Sequence, residues 1–295
     1  MSEALSWERE GADWPNHEAS RFVEASGIRW HLQQMGEGPV LLLLHGTGAA
    51  THTWRDLGPL LSSKFTVIAP DLPGHGFSAP LESGRLSLPG MAAAVGGLLD
   101  TLGARPSLVI GHSAGAAVAA RMTLDGHIDP ARIIGLNGAL LAFRGLAGPF
   151  YAPLAKLLSL NPLVPRLFAR GAGSQSAVER MIRSTGSVLD ARGVDLYGRL
   201  LRSPTHLAGA LGMMANWDLN ALERDLPGLG PRLVLVACGD DGAIPATEAF
   251  RARDKAPGAE VIYLRKLGHL GHEERPQLFA DVIVRTATAS GVLPG

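Results

Sequence analysis

A chain of 295 residues, 46% hydrophobic and 18% charged, is long enough for one large α/β domain or two modest ones and carries the apolar content of a sizeable core. Lys plus Arg equals Asp plus Glu at 27 each, which excludes the basic surplus of a nucleic-acid binder. The one cysteine, Cys238, excludes an internal disulfide, and no zinc-type Cys/His cluster occurs, so a reducing compartment is expected and no metal or cofactor.

The opening MSEALSWERE is acidic and lacks the basic and apolar regions of a secretion signal. No run of about 18 apolar residues follows, so a cytoplasmic protein without a transmembrane helix is expected. Trp7, Trp14 and Pro15 point to a first segment that lies on the body. Arg21–Ala25 and Ile28–Met35 flank Ser26-Gly27, a hairpin signal. Val40–Leu44 is a short continuous apolar run, the pattern of a strand covered on both faces in a parallel sheet. It ends in His45-Gly46-Thr47-Gly48, where glycines permit a tight turn with N–H groups facing a cleft. The Thr47 N–H is a candidate oxyanion donor. Lys64–Ala69 is the next strand. In the following Asp71-Leu72-Pro73-Gly74-His75 stretch, Asp71 and His75 read as a rigid turn rather than an acid–base pair. Met91–Leu102 reads as a helix.

Leu108-Val109-Ile110 then leads into Gly111-His112-Ser113-Ala114-Gly115 and a small-residue helix. This is G-x-S-x-G in the strand–turn–helix setting that the motif requires. Side chains at Gly111 and Gly115 would collide in so sharp a turn. The turn lifts the Ser113 hydroxyl out of the sheet and aims the Ala114 N–H at the same point. Arg132–Leu136 is another buried strand.

From about Leu141 to Leu222 no strand pattern appears, and the helical periodicity is broken by prolines. A helical cap over 141–222 is expected, inserted into an α/β core of 1–140 and 223–295. Ala152–Leu158 and Val164–Phe168 are amphipathic, and the cap is rich in arginine: Arg144, Arg166, Arg170, Arg180, Arg183, Arg192, Arg199 and Arg202, with Lys156. Met213, Met214 and Trp217 suit an adaptable apolar pocket or the cap's own core. Arg232–Ala237 and Glu260–Leu264 are the last strands, and a closing helix begins at Pro276. Strands alternating with helices imply a mostly parallel sheet with helices on both faces.

Ser113, an aspartate of the Asp240-Asp241 pair, and His269 each follow a predicted strand, so a parallel sheet brings them to one edge. A serine hydroxyl needs a base to take its proton, and a neutral histidine near pH 7 is one. A carboxylate then fixes the histidine tautomer. Loop spacing before Pro245 prefers Asp241 to Asp240. His272 reads as capping the last helix and bonding locally. His17, His31, His52, His127 and His206 read as surface or packing residues. His45 and His112 flank the oxyanion loop and the elbow, where they either touch substrate or brace the backbone. Cys238 reads as a small buried thiol.

HGTG at 45–48, DLPGHGFS at 71–78, GHSAG at 111–115, the Asp241 loop and GHLGHEERP at 268–276 resemble the α/β-hydrolase fold family over most of the chain. The resemblance implies Ser113 as nucleophile, Asp241 as acid, His269 as base, and Thr47 and Ala114 as oxyanion donors. The serine argues against the dehalogenase and epoxide-hydrolase branches, which use aspartate there. Asp13-Trp14-Pro15-Asn16, HGTGAATHTWRDL at 45–57, LNGALLAF at 136–143, LAKLLSLNPLVPRLF at 154–168 and LGMMANWDL at 211–219 further resemble the magnesium-chelatase accessory proteins of bacteriochlorophyll synthesis. That narrower resemblance implies a photosynthetic bacterium's cytoplasm, an apolar substrate such as a tetrapyrrole, and magnesium chelatase subunits as partners. Two functions are therefore expected to compete: hydrolysis of an ester or related acyl bond, and non-catalytic carriage of a porphyrin.

Overall fold

The computed structural model describes residues 5–142 and 174–295, and in it the apolar runs pair into one eight-stranded sheet. The strands are β1 (Ser20–Ala25), β2 (Ile28–Met35), β3 (Val40–Leu44), β4 (Thr66–Pro70), β5 (Leu108–His112), β6 (Arg132–Leu136), β7 (Leu233–Cys238) and β8 (Glu260–Leu264). Their spatial order is β1-β2-β4-β3-β5-β6-β7-β8. The β1–β2 and β2–β4 pairs are antiparallel and every later pair is parallel. The β1–β2 hairpin turns at Ser26 (φ 53°) and Gly27 (φ 76°), two left-handed residues as a two-residue turn matched to strand twist requires.

The central strands are buried on both faces because each supplies two apolar surfaces. In β3, Leu42 and Leu44 pack with Val109, Ile133 and Leu235 against helices α3 (Leu88–Leu102) and α4 (Ala114–Leu124). Leu41 and Leu43 pack with Ile110, Ile134 and Val236 on the opposite face, against α2 (Leu57–Ser62) and the closing helix, Pro276–Ala289. Strand alternation sends successive side chains to opposite faces, so a five-residue run feeds both layers. Helix α3 starts three residues before the expected Met91. Ser87 caps it by accepting from the Gly90 N–H, and Pro89 fits the first turn.

Between β6 and β7 the described residues form α5 (Gln175–Ser184), α6 (Ala191–Leu201), α7 (Pro204–Ala215) and α8 (Asn220–Asp225). After β7 come α9 (Thr247–Lys255), α10 (Gly271–Glu274) and α11 (Pro276–Ala289). The amphipathic stretches 152–158 and 164–168, with Arg144, Lys156, Arg166 and Arg170, lie outside the described residues. The short helix α1 (Trp7–Glu10) opens an N-terminal segment that ties the inserted helices to the body. Asp13 accepts from Arg199 at 2.6 and 2.7 Å, and Arg192 stands 3.2 Å from the same carboxylate. Those bonds hold the Asp13 carboxyl well below the usual carboxylate range. Two arginines of the expected basic surplus are thus matched by acids of the chain itself. Trp14, fully buried, donates to Thr51 Oγ1 at 3.0 Å and packs with Leu196 and Leu200 of α6.

Candidate active site

Ser113 sits between β5 and α4 with φ 53° and ψ −117°, a conformation that L-residues rarely hold. The strain is imposed by close packing. A Cβ on Gly111 would overlap the backbone of Ala116, and one on Gly115 would overlap the carbonyls of Leu44 and His45. Helix α4 therefore begins almost in contact with β3 and β5, and its first N–H groups, starting at Ala114, lack intrahelical acceptors. Ser113 keeps partial exposure between the buried His112 and Ala114.

The loop after β3 approaches from the other side. A Cβ on Gly46 would stand 3.0 Å from the Ser113 Cβ. His45 is buried, and its Nε2 accepts from the Leu72 N–H at 2.8 Å. The ring proton therefore sits on Nδ1, which donates to the Gly46 carbonyl at 2.8 Å. A trans peptide points its N–H opposite its C=O, so fixing the Gly46 carbonyl fixes the direction of the Thr47 N–H. His206 of α7 secures the same loop. Its Nδ1 accepts from the Gly76 N–H at 3.0 Å, and its Nε2 donates to the Gly48 carbonyl at 3.1 Å.

Asp241 and His269 meet at the ends of β7 and β8, with His269 Nδ1 donating to Asp241 Oδ2 at 2.8 Å. The Asp241 side chain is fully buried, and its Oδ1 accepts from the Ala243 and Ile244 N–H groups, both at 2.8 Å. Asp241, rather than Asp240, is the aspartate bonded to the histidine. The His269 carbonyl accepts from His112 Nε2 and from Asn137 Nδ2, each at 2.9 Å. His45 and His112 are thus engaged by backbone groups, the bracing alternative of the two read from sequence. Burial holds both rings below the ordinary histidine range, and so neutral at pH 7.

Asn137 has no precedent in the sequence reading. It lies after β6 at φ 47°, accepts from the Cys238 N–H at 2.9 Å through Oδ1, and spans to Gly268 and His269 through Nδ2. One side chain thereby joins the end of the acid strand to the base loop. Asn is enriched in the left-handed region, and the Asn-Gly pair after a buried strand is the signal that could have marked it. Asn137→Ala leaves the Cys238 N–H without its acceptor and is expected to cost about 1–3 kcal/mol, read as a lower urea midpoint.

The other predicted residues fall as follows. Met213 is fully buried in the core, with Thr47 Oγ1 donating to its Sδ at 3.4 Å. Met214 and Trp217 are partly buried, and Trp217 packs against the same core. Cys238 is a buried thiol, pushed up to about 12 by burial. Asp71 does not pair with His75, whose Nδ1 donates to Pro73 O at 3.2 Å. It bonds His31 Nδ1 at 2.7 Å and the Thr51 and Phe77 N–H groups at 2.6 and 2.9 Å, a turn held together from three elements. His272 bonds no local group. Its Nε2 donates to Thr53 Oγ1 at 2.8 Å, because α10 is folded back onto the segment that follows the oxyanion loop. Among the described residues no group of three metal-ligating side chains could hold an ion, and no helix is long and apolar enough to cross a membrane.

The family model of the alpha/beta hydrolase family matches residues 41–282. The chain is 39% identical to the magnesium-chelatase 30 kDa subunit of Rhodobacter capsulatus, over 89% of this chain and 92% of that protein. It is 30% identical to the dihydrolipoyllysine-residue acetyltransferase component of the acetoin cleaving system of Cupriavidus necator, over 88% of this chain and 67% of that one. Among solved structures, the epoxide hydrolase CorEH superposes with a TM-score of 0.78 at 22% identity, covering 92% of this chain and 98% of that one. A thermophilic esterase from Thermogutta terrifontis gives 0.73 at 20% identity, covering 92% of this chain and 98% of the esterase. The eight-stranded sheet, the strained turn at Ser113 and these likenesses agree, and the chain belongs to the alpha/beta hydrolase family.

Proposed function

We propose that this protein is a serine hydrolase acting on an ester or related acyl bond of an apolar substrate, in the biosynthesis of magnesium porphyrins. Ser113 Oγ attacks the acyl carbon while His269 Nε2 takes its proton. The oxyanion that forms is held by the Thr47 and Ala114 N–H groups, each such donor being worth about 10²–10³ in rate. Collapse expels the alcohol, which takes the proton from His269. Water then attacks the acyl-serine by the same proton path and releases the acid. Asp241 holds the proton on Nδ1 so that Nε2 keeps its lone pair. The described helices α5 to α8 of the insertion form the cap over the reacting bond. Met214 and Trp217 offer it an apolar wall, and Met213 stands behind them against Thr47. His45 and His112 act from behind, as braces.

The observation that carries this reading is the Asp241–His269 hydrogen bond at the same sheet edge as a serine held at φ 53°. Such strain persists only where the surrounding packing over-determines it, and it clusters at reactive sites. The magnesium-porphyrin context, with chelatase subunits as partners, is supported by the name of the Rhodobacter capsulatus relative alone. Intact-mass analysis after fluorophosphonate treatment tests the chemistry. One adduct on the wild type, absent from Ser113→Ala, is expected. A folded wild type that takes no adduct overturns it.

That outcome would favour a second reading, which the name of the same relative motivates: a non-catalytic porphyrin carrier that supports magnesium chelatase. A fold can keep a site and change its use. Absorbance titration with protoporphyrin and its magnesium form measures this reading. It predicts a spectral shift at or below tens of micromolar in the Ser113→Ala variant as well as the wild type.

A further inference from the structure

The loops that carry Asp241 and His269 leave β7 and β8 side by side and meet where the Asp240 N–H donates to the Leu267 carbonyl at 2.9 Å. Beyond that point they separate, and a turn from the inserted helices enters between them. The turn joins α5 to α6 and runs through Thr185, Gly186 and Ser187. The Thr185 carbonyl accepts from two donors: the Gly242 N–H at 3.0 Å, in the acid loop, and the His269 N–H at 3.1 Å, in the base loop. The Ser187 hydroxyl is buried and accepts from the Leu270 N–H at 2.8 Å.

Packing makes the fit a backbone-to-backbone one. Gly186 has φ +81°, and a Cβ there would overlap the Asp240 carbonyl. A Cβ on Gly268 would overlap the Gly186 backbone, and one on Gly242 would stand 2.5 Å from the Ser184 carbonyl. Three glycines, one from each segment, thus remove the side chains that would hold the turn away from the two loops. The His269 peptides are bonded from both sides. The N–H of His269 goes to Thr185, its carbonyl to His112 and Asn137, and the next N–H to Ser187.

We propose that the turn Thr185–Gly186–Ser187 is a positioning element for the acid–base pair. Ser187 fixes the plane of the His269–Leu270 peptide, and the Thr185 carbonyl sets the spacing of the Asp241 and His269 loops. The inference rests on the hydrolase reading of those two residues. It makes the α5–α6 part of the insertion a component of the site instead of a freely hinged cover. The imidazole must hold its Nε2 near the serine hydroxyl, and a displacement of about 1 Å in such geometry costs up to about 10²-fold in rate.

The test compares wild type, Ser187→Ala, Ser187→Cys and the neighbouring surface control Ser184→Ala. Two quantities are read. One is the saturable rate of fluorophosphonate labelling, split into its maximal rate and half-saturating concentration. The other is the downfield proton resonance of the His269–Asp241 hydrogen bond, assigned by its loss in Asp241→Asn. Ser187→Ala is expected to keep the wild-type circular dichroism and half-saturating concentration, to label about tenfold to a hundredfold more slowly, and to broaden the resonance. Ser184→Ala is expected to match the wild type in both. A Ser187→Ala protein that labels at the wild-type rate and keeps a sharp resonance overturns the proposal. Should Ser187→Ala fail to fold, Ser187→Cys, which keeps the side-chain volume and offers only a weak sulfur acceptor to the Leu270 N–H, is read by the same criteria. If the wild type takes no label, the hydrolase reading fails by itself, and the resonance still decides: broadening in Ser187→Ala upholds the positioning role and an unchanged line refutes it.

Discussion

Asp241→Asn is expected to lower hydrolytic turnover, or the fluorophosphonate labelling rate, by about 10⁴-fold without unfolding the protein, the magnitude typical when the carboxylate of a catalytic triad becomes an amide. The physical reason lies in the partners of the side chain. Oδ1 accepts two backbone N–H bonds, from Ala243 and Ile244 at 2.8 Å each, and Oδ2 accepts from His269 Nδ1. An asparagine has one acceptor oxygen, and the two backbone donors claim it. The amide NH₂ is then turned toward His269 Nδ1, where a donor cannot face a donor. His269 responds by placing its proton on Nε2, so the nitrogen that should take the Ser113 proton has no lone pair. The loop itself keeps its bonds, which is why the loss is chemical. Asp240→Asn is the control and is expected to label at the wild-type rate, since Asp241 is the residue bonded to His269. Equal labelling by Asp241→Asn and wild type would reduce Asp241 to a loop anchor.

Much of this arrangement was legible in the order of residues. Buried parallel strands are short, continuous and apolar, so Val40–Leu44 and Arg132–Leu136 coincide with β3 and β6, and the half-exposed edge strand β8 also matches Glu260–Leu264. Ser113, Asp241 and His269 could be read because each lies in the turn or loop that leaves a strand, and a parallel sheet sends every strand end to one edge. The supports could not be read in the same way. Asn137 meets His269 across 132 positions, and His272 meets Thr53 across 219. No local pattern encodes contacts of that kind, because they depend on how finished layers stack. His272 and His31 show the limit plainly. Local grammar suggested a helix cap for the first, which bonds Thr53 instead, and surface or packing for the second, which is packed among Trp7, Phe22 and Phe77 and also bonds Asp71. The turn at Ser187 is the extreme case, since its spacing in sequence carries no sign that both loops of the site converge on it.

The density of buried histidine leads to the other large effect: stability is expected to fall by several kcal/mol between pH 7 and pH 5.5. His45, His52, His75, His112, His206 and His272 are all buried, and burial first of all holds each ring below its ordinary range, with His206 near about 4 and His272 near about 3. The folded protein therefore leaves them neutral, whereas the unfolded chain protonates them near pH 6.5. A depressed folded value means that the stabilisation is complete above about pH 6.5 and is lost as the pH falls below it, because only the unfolded state takes up the proton. Each such ring gives up as much as about 1.4 kcal/mol per pH unit until its own folded value is reached. His206 and His272 alone, at that limit, amount to about 3 kcal/mol at pH 5.5, a large part of the stability of an ordinary domain at about 5–15 kcal/mol, and the other four rings add to the loss in the same direction. Glu273 runs the other way. Burial raises it against the pull of Arg55, so the folded state holds that proton more readily and offsets part of the loss toward acid pH. Asp71 is drawn down chiefly by His31, against burial, and its contribution persists until the pH approaches the carboxylate range. Urea midpoints followed by circular dichroism from pH 7.5 to 5 measure the slope, which His272→Gln should reduce by about 1.4 kcal/mol per pH unit. A midpoint that stays level down to pH 5.5 would mean that the rings are protonated in the folded protein. In that case His45 Nε2 and His206 Nδ1 would have no lone pair for the Leu72 and Gly76 N–H groups.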